Sequence, residues 1–441
     1  MAGLAFVAPA SFADGWEAEL ELEISRFPQE SPNPQSNYTG SGSVATTLSR
    51  SDYWGDAIID TKLFYREDGH DGNRSHFDIR DLMIILPVAD FEFKAGIGGA
   101  FWGYAESVHL VDIINQTDSV ESLSGEEKLG QPLLSANWYG QWGTVQTYVM
   151  PLFRPRVFAS EDGRPALPLP FTENEDDYQY ESSDREKHVD FALRWSHNFG
   201  PLDFALSLFK GTERAPRSVV CFGRGTGRPN TENGPNCDLP SGFQEPNAAE
   251  QLLIDAGLVN EDELIAEAIE AAIPDLRLVP HYDQTERIGL ELQWNLGDIL
   301  AKAELLYGEQ LDSPYRAAVG GFEYIWSNSL GLPLDVRVIS EYLYDDRDTA
   351  VYFNLFDNDV FFGARFEFQD TQSTTFLIGT IYDLENQVVL YLAEGTRRLG
   401  NASSLSLEAQ VFSHFDDAPE GDSVAFFRNA DTYTAKLKLY F

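Results

Sequence analysis

The chain has 441 residues, of which 31 are basic and 71 are acidic, so its formal net charge is −40. Such an acidic surface repels DNA and RNA, and no nucleic-acid partner is expected. Hydrophobic residues make up 43% and aromatic residues 13% of the sequence, which is too much apolar material for a disordered acidic chain.

The sequence offers no candidate for a membrane-spanning helix. Its apolar runs are short, and LMIILPVA at 82–89 is among the longest. A spanning helix needs roughly 20 consecutive apolar residues. Any membrane span in this chain must therefore be made of β-strands.

The N-terminal residues are typical of the end of a secretory signal. An apolar stretch is followed by Ser11, Phe12 and Ala13, which places small residues at −3 and −1 of a cut before Asp14. The basic region that normally begins such a signal is missing, so a disordered tail is the alternative. We expect 1–13 to be a signal-peptide remnant and 14–441 to form the mature protein.

Apolar and polar residues alternate with a period of two along most of the mature chain. The stretch WEAELELEI at 16–24 has Trp, Ala, Leu and Ile on one face and glutamates on the other. Similar alternation occurs at 189–196, 287–295 and 431–441. Because successive side chains of a strand point to opposite faces, each segment predicts a strand with one apolar and one charged face.

Strand length and loop length distinguish a transmembrane barrel from a soluble β-sandwich, because apolar and polar residues alternate along the strands of both. The predicted strands run about 10–12 residues, which is enough for a tilted strand to cross a bilayer. Short Gly, Asp or Asn turns alternate with long connections at 104–131, 152–186, 213–281 and 416–430. This pattern of short periplasmic turns and long external loops predicts an all-β fold, a single antiparallel outer-membrane barrel.

The pattern predicts about eighteen strands, and sixteen is possible because the second strand and the pair at 372–397 are weakly marked. An even number returns both termini to the periplasm. The predicted strands are 16–26, 43–53, 56–66, 76–87, 91–102, 132–139, 142–152, 187–198, 202–212, 282–296, 299–310, 317–329, 334–345, 358–369, 372–382, 386–397, 403–414 and 431–441.

The longest loop carries helical signals and both cysteines. Asn and Glu have the spacing of a capping box at 247–250 and at 260–263, which predicts a short helical hairpin. The hairpin could lie in the mouth of the barrel or be a solvated decoration. In an oxidising compartment, a disulfide between Cys221 and Cys237 is favoured over two free thiols.

Two sets of residues carry a family resemblance. Phe441, with Leu439, Leu437 and Tyr433 behind it, resembles the C-terminal signal by which the barrel-assembly machinery recognises outer-membrane proteins. The stretches at 101–118, 211–217 and 356–368 resemble Gram-negative outer-membrane porins of uncharacterised substrate, and they are distantly similar to alginate-export barrels. The resemblance implies a pore-forming barrel without naming a solute.

With lipid outside, the polar face of each strand must line the lumen. These charges could be cross-strand ion pairs that stiffen the barrel, or a subset could select solutes through opposed rings of charge. The acid excess favours cations. The predicted pore-lining residues are Glu19, Glu21, Asp60, Lys62, Lys94, Asp190, Arg194, Arg287, Glu291, Lys302, Glu304, Arg337, Glu341, Arg365, Glu367, Glu408, Lys436 and Lys438.

The sequence therefore favours a porin that passes small solutes, with a preference for cations. Two alternatives stay open: a structural or adhesive barrel plugged by 104–131 and 213–281, and an outer-membrane hydrolase built on histidines at loop edges. No G-x-S-x-G motif occurs, so we expect no enzyme.

The expected partners are the lipid bilayer, lipopolysaccharide, the barrel-assembly machinery and a small solute. No cofactor is expected. The acidic loops would bind divalent ions only loosely, so no dedicated metal site is expected either. Finally, a barrel has no open edge, so the first and last strands must pair. We predict Glu19 and Glu21 about opposite Lys438 and Lys436, within a couple of residues.

Overall fold

The protein is a closed β-barrel in the computed structural model, which describes residues 15–121, 125–167, 169–224, 234–237, 276–311, 313–347, 356–415 and 427–441. Its strands are β1 (Glu17–Arg26), β2 (Gly40–Trp54), β3 (Ala57–Asp68), β4 (Phe77–Val88), β5 (Phe91–Gly98), β6 (Gln131–Gly140), β7 (Gly143–Met150), β8 (Gln179–Tyr180), β9 (Asp190–Phe199), β10 (Leu202–Thr212), β11 (Arg217–Phe222), β12 (Leu276–Tyr282), β13 (Gln284–Asn295), β14 (Ile299–Gln310), β15 (Ser313–Trp326), β16 (Leu334–Asp345), β17 (Asn358–Phe368), β18 (Thr375–Asp383), β19 (Val389–Arg398), β20 (Ser403–Ser413) and β21 (Thr432–Tyr440).

Eighteen of these strands form one antiparallel sheet, and this number confirms the prediction. Each barrel strand pairs with its neighbours in the chain, and β1 also pairs with β21, which closes the sheet. The remaining strands, β8, β11 and β12, make a small sheet of their own. Short 3-10 helices occur at Pro34–Ser36, Glu175–Asp177, Arg185–Lys187 and Ser329–Gly331. Within the described ranges, none of the helices has the length and apolar character that crossing a membrane requires.

The outer face of the barrel is apolar and has an aromatic belt near each end. Large rings interact well with the boundary between lipid and water, and two such belts mark the edges of a membrane-spanning band. One belt lies beside the short turns and contains Trp54, Phe91, Phe199, Trp294, Trp326 and Phe368. The other lies at the opposite end of the barrel, which also carries the long loops, and contains Tyr65, Phe77, Phe191, Tyr307, Tyr344, Tyr382 and Tyr433.

The closing strand pair has the predicted partners in a shifted register. Glu21 lies opposite Lys438 and Glu23 lies opposite Lys436. The register is therefore shifted by two residues from the expected alignment, which the prediction allows. Lys438 Nζ lies 3.0 Å from Glu19 and 3.3 Å from Glu21. Lys436 instead forms its ion pair with Glu408 of β20, at 2.8 Å.

The fifth strand is shorter than the predicted 91–102, because the chain leaves the sheet after Gly98 and turns into the barrel. Trp102 is only 2% exposed and packs against Tyr148 with ring centroids 5.7 Å apart. The side-chain amide of Asn115 donates to the carbonyls of Gly98 and Leu129, at 2.9 and 2.8 Å, and so joins the two ends of the segment. We call residues 99–130 the inward loop.

Parts of two long loops form the small sheet, which the alternation pattern did not predict. Strands β11 and β12 pair antiparallel, and β12 pairs parallel with β8. Cys221 of β11 forms a disulfide with Cys237. The predicted signal remnant at 1–13 and the helical signals at 247–250 and 260–263 lie outside the described residues.

Candidate pore and its constriction

The inward loop is fixed to one wall of the barrel by three carboxylates. Glu304 of β14 accepts hydrogen bonds from the backbone N–H groups of Tyr104 and Ala105, at 2.7 and 2.9 Å. Glu341 of β16 accepts from the N–H groups at 106 and 107, at 2.9 and 2.8 Å, and Glu291 of β13 accepts from the N–H at 103, at 3.0 Å. All three carboxylates are buried. They satisfy backbone donors that a loop inside a barrel would otherwise leave without partners.

Apolar packing holds the same part of the loop. Trp102, Val111, Ile113 and Ile114 join a buried cluster with side chains from β4, β6, β7, β9 and β10. Ala105 joins a second cluster with the inner faces of β15 to β20. Burial of one large apolar side chain contributes about 1.5–3 kcal/mol, so these clusters stabilise the loop position at least as strongly as the hydrogen bonds do.

Arginines attach the other part of the inward loop to the opposite wall. Arg66 of β3 donates to both oxygens of Glu121, at 2.7 and 3.0 Å, and also pairs with Glu21 at 2.8 Å. Arg80 of β4 donates to the carboxylate of Asp118 at 2.5 Å. Because β3 and β4 lie across the barrel from β14 and β16, the inward loop crosses the lumen and is fixed at both sides.

Two titratable groups of this region have altered acidities. Burial disfavours the charged form of His76, but the hydrogen bond and charge of Asp118, 3.1 Å away, prevail and raise the pKa of the imidazole. Burial raises the pKa of Asp112, and the ammonium of Lys128 at 3.2 Å offsets this only in part. The pKa values of His76 and Asp112 therefore depend on the contacts that hold the inward loop in place.

The inward loop leaves a cavity of about 1120 Å³ between itself and the wall of β1–β4 and β18–β21. The cavity extends from Glu19, near the periplasmic end of β1, to 158–161 in an external loop. Its charged lining among the described residues comprises eleven carboxylates, Glu19, Glu21, Glu23, Asp71, Asp81, Glu121, Glu126, Glu127, Glu161, Glu394 and Glu408, and nine bases, Lys62, Arg66, Arg74, Arg80, Lys128, Arg156, Arg164, Lys436 and Lys438.

Six of the predicted pore-lining residues line this cavity: Glu19, Glu21, Lys62, Glu408, Lys436 and Lys438.

The other predicted pore-lining residues lie on inward-facing strand positions outside the lining of the cavity, and several are buried. Asp190 pairs with Arg214, Arg194 with Glu291, and Arg287 with Glu213. Lys302 pairs with Glu106 and Glu323, Arg365 contacts Glu106, and Arg337 contacts Glu367. Glu304 and Glu341 fix the inward loop, while Asp60 accepts from Ser51 and Lys94 pairs with Glu92.

Some residues of the lining were not predicted. Arg66 and Glu394 lie on the same strand faces as predicted residues, so the alternation pattern could have identified them. Arg80 follows an irregularity in the β3–β4 register, which moves it onto the inward face. Glu121 and Arg156 lie in long loops, where no periodicity indicates a side chain's direction.

A closed sheet with an apolar, aromatic-belted exterior and a charged interior is an outer-membrane β-barrel. Its architecture is that of the antiparallel β-barrels found in the outer membranes of Gram-negative bacteria.

The similarities of the chain to known proteins lie in structure and not in sequence. No protein-family model matches the chain, and no curated protein matches it significantly in sequence. Among solved structures, the chain is similar to Wzi, an Escherichia coli outer-membrane protein involved in group 1 capsule assembly and described as a carbohydrate-binding β-barrel; the identity is 9%, the TM-score 0.48, and 96% of this chain and 84% of that chain are covered.

Two further structures are similar at the same level. A BenF-like porin from Pseudomonas fluorescens Pf-5 is 10% identical, with a TM-score of 0.47 over 98% of this chain and 99% of that chain. OprB from Pseudomonas putida is 10% identical, with a TM-score of 0.42 over 97% and 94% of the two chains. Identities and TM-scores this low do not indicate a solute for this chain.

Proposed function

We propose that the protein is a channel for passive diffusion of small hydrophilic solutes across the outer membrane. The observation that carries this proposal is the cavity of about 1120 Å³, which runs beside the inward loop from Glu19 to the external loop segment 158–161. Its walls carry charges of both signs, so water and polar solutes are better accommodated there than apolar molecules.

A slight preference for cations is part of the proposal. The cavity lining has eleven acids and nine bases among the described residues, a far smaller imbalance than the net charge of −40 would suggest. Most of the chain's excess acid lies elsewhere and acts on ions only at a distance, where salt screens it. The selectivity between potassium and chloride should therefore be weak.

Reconstitution into planar bilayers tests both statements. We expect discrete conductance steps, and a reversal potential in a potassium chloride gradient that indicates a small excess of cation permeability. Liposome swelling with sugars, amino acids and organic acids would then define the solute range. An absence of steps from correctly folded protein would contradict the channel, and a reversal potential of the opposite sign would contradict the cation preference.

A plugged structural or adhesive barrel is the second candidate. The observation that favours it is the attachment of the inward loop to both walls, through Glu304 and Glu341 on one side and Arg66 and Arg80 on the other. A variant that replaces 103–109 with a short glycine linker separates the candidates. Conductance in that variant but not in the parent protein would support the plugged barrel.

We infer a transport role rather than a catalytic one. The histidine–carboxylate pairs of the described residues, such as His188 with Asp190 at 2.8 Å, are also bound by neighbouring arginines or backbone groups. These bonds give the pairs structural roles. Incubation of the folded protein with ester and phospholipid substrates should show no hydrolysis, and turnover that depends on His188 would refute this inference.

A further inference from the structure

Arg156, like Arg164, lines the cavity without an acidic partner among the described residues. Its Nε donates to the side-chain oxygen of Gln116 at 3.3 Å, and its backbone N–H donates to the hydroxyl of Tyr282 at 2.8 Å. Within the described part of the chain, no carboxylate forms an ion pair with its guanidinium. The side chain is partly buried and lines the cavity.

The neighbouring arginines show how unusual this is. Arg66, Arg74 and Arg80 line the same cavity, and each pairs with two or more carboxylates. The guanidinium of Arg164 is bound by the backbone carbonyls of residues 29, 38 and 429 and packs on a phenylalanine ring. Among these arginines, only Arg156 has two terminal guanidinium nitrogens that no described residue binds.

The surroundings of Arg156 also make its charged form unfavourable when no anion is bound. Burial lowers the pKa of Arg156, because the charged form loses water without gaining a carboxylate. A partly desolvated guanidinium has a planar arrangement of donors that matches a carboxylate, so binding of an organic anion would restore the lost interactions.

An apolar surface lines the same cavity as the guanidinium. Phe158, two residues further along the chain, stacks on Phe171 with ring centroids 3.7 Å apart, and both rings line the cavity. Pro170, Ala215 and Pro216 line the same cavity. We call Phe158 and Phe171 the aromatic shelf.

We propose that Arg156 and the aromatic shelf form a binding subsite for the carboxylate of a small organic acid with an apolar body. The acid enters from the external side, its carboxylate pairs with the guanidinium, and its apolar part lies against Phe158. This proposal rests on the proposed channel function and adds a class of solute to it. A weak overall preference for cations is compatible with it, because selectivity for simple salts depends on the whole lining.

Current block by phenylacetate tests the subsite. Phenylacetate added on the external side should interrupt the single-channel current, whereas the neutral phenylacetamide and the small anion acetate should do so at least tenfold less effectively. Arg156→Gln should weaken the block by phenylacetate roughly tenfold, because a charge-assisted hydrogen bond pair is lost. Arg156→Lys should retain part of it. Arg185→Gln, at an exposed external position, is the matched control and should behave as the parent protein.

Several outcomes would overturn the subsite. These are an equal block of the parent protein and Arg156→Gln, a block by phenylacetamide as strong as that by phenylacetate, or a block by acetate as strong as either. Calorimetric titration of phenylacetate into detergent-solubilised protein makes the test independent of conduction. Arg156-dependent heat from a protein without conductance would refute the channel and support the subsite, while conductance without such binding would refute only the subsite.

Discussion

The carboxylate of Glu304 on the barrel wall accepts a 2.7 Å hydrogen bond from the backbone N–H of Tyr104, which lies 200 residues earlier in the chain. The same oxygen accepts a second bond, of 2.9 Å, from the next N–H. Such bonds to a buried carboxylate are stronger than neutral ones, so this contact fixes where the inward loop crosses the lumen.

Replacement of Glu304 should therefore release the inward loop. Glu304→Ala leaves the backbone N–H groups of Tyr104, Ala105 and Val111 without this acceptor, and bonds to charged groups contribute about 1.5–3 kcal/mol each. We expect a larger or noisier single-channel conductance together with a lower unfolding temperature. Glu367→Gln, whose side chain is 34% exposed inside the barrel, is the matched control. Unchanged conductance and noise in Glu304→Ala would contradict the role given to the anchor.

Loss of the lysine at the barrel closure should have a modest effect. Lys438→Met removes the pairs with Glu19 and Glu21, which are partly exposed to the lumen. A partly screened pair contributes only some tenths of a kcal/mol to about 1 kcal/mol. Heat-modifiable migration on gels should shift by a few degrees, with the folded barrel retained. Failure of Lys438→Met to form any folded barrel would show that the pair does more than favour the register.

The stability of the loop contact at His76 should depend on pH. Its raised pKa means that the folded protein binds the proton more tightly than the unfolded chain does. The resulting stabilisation is complete below the ordinary pKa of about 6.5 and is lost as pH rises through the folded-state pKa. The difference in unfolding temperature between the parent and His76→Gln should thus be larger at pH 5.5 than at pH 8.5. A difference that grows with rising pH would contradict the sign.

The disulfide between Cys221 and Cys237 should be present in protein from outer membranes and dispensable for the barrel. Mass spectrometry without reductant should find the two peptides linked. Because β11 belongs to the small external sheet, the double variant Cys221→Ser with Cys237→Ser should keep heat-modifiable migration and lose protease resistance only in the external loops. Free thiols in the isolated native protein would refute the first expectation.

Charge selectivity should respond to Glu394. This carboxylate lines the cavity and forms no ion pair with any described residue, so its charge acts directly on passing ions. Glu394→Gln should lower the ratio of cation to anion permeability measured from reversal potentials. Glu385→Gln, in the external turn after β18, should leave the ratio unchanged. If both variants and the parent protein have the same ratio of cation to anion permeability, other residues determine the charge selectivity.

Local patterning was sufficient to predict the barrel. Alternation along 16–24 and 431–441 identified strands with an apolar and a charged face, and the alternating turn lengths indicated a membrane barrel. Both signals reside in short stretches of sequence and depend only on strand geometry and bilayer thickness. The prediction of a strand over 91–102 is wrong at Trp102, because the chain leaves the sheet after Gly98 and no local pattern marks that point.

The sequence by itself thus determined the architecture, the inward-facing parity of the strands and the pairing of β1 with β21. It did not determine the register, because a shift of two residues keeps every side chain on its face, and Glu21 could replace Glu19 opposite Lys438 without any change in the pattern. Only the tertiary structure decided which lumen charges line a cavity and which fix a loop. Contacts such as Glu304 with Tyr104, or the isolation of Arg156, join parts of the chain far apart in sequence, and their free energies depend on burial that no local pattern contains.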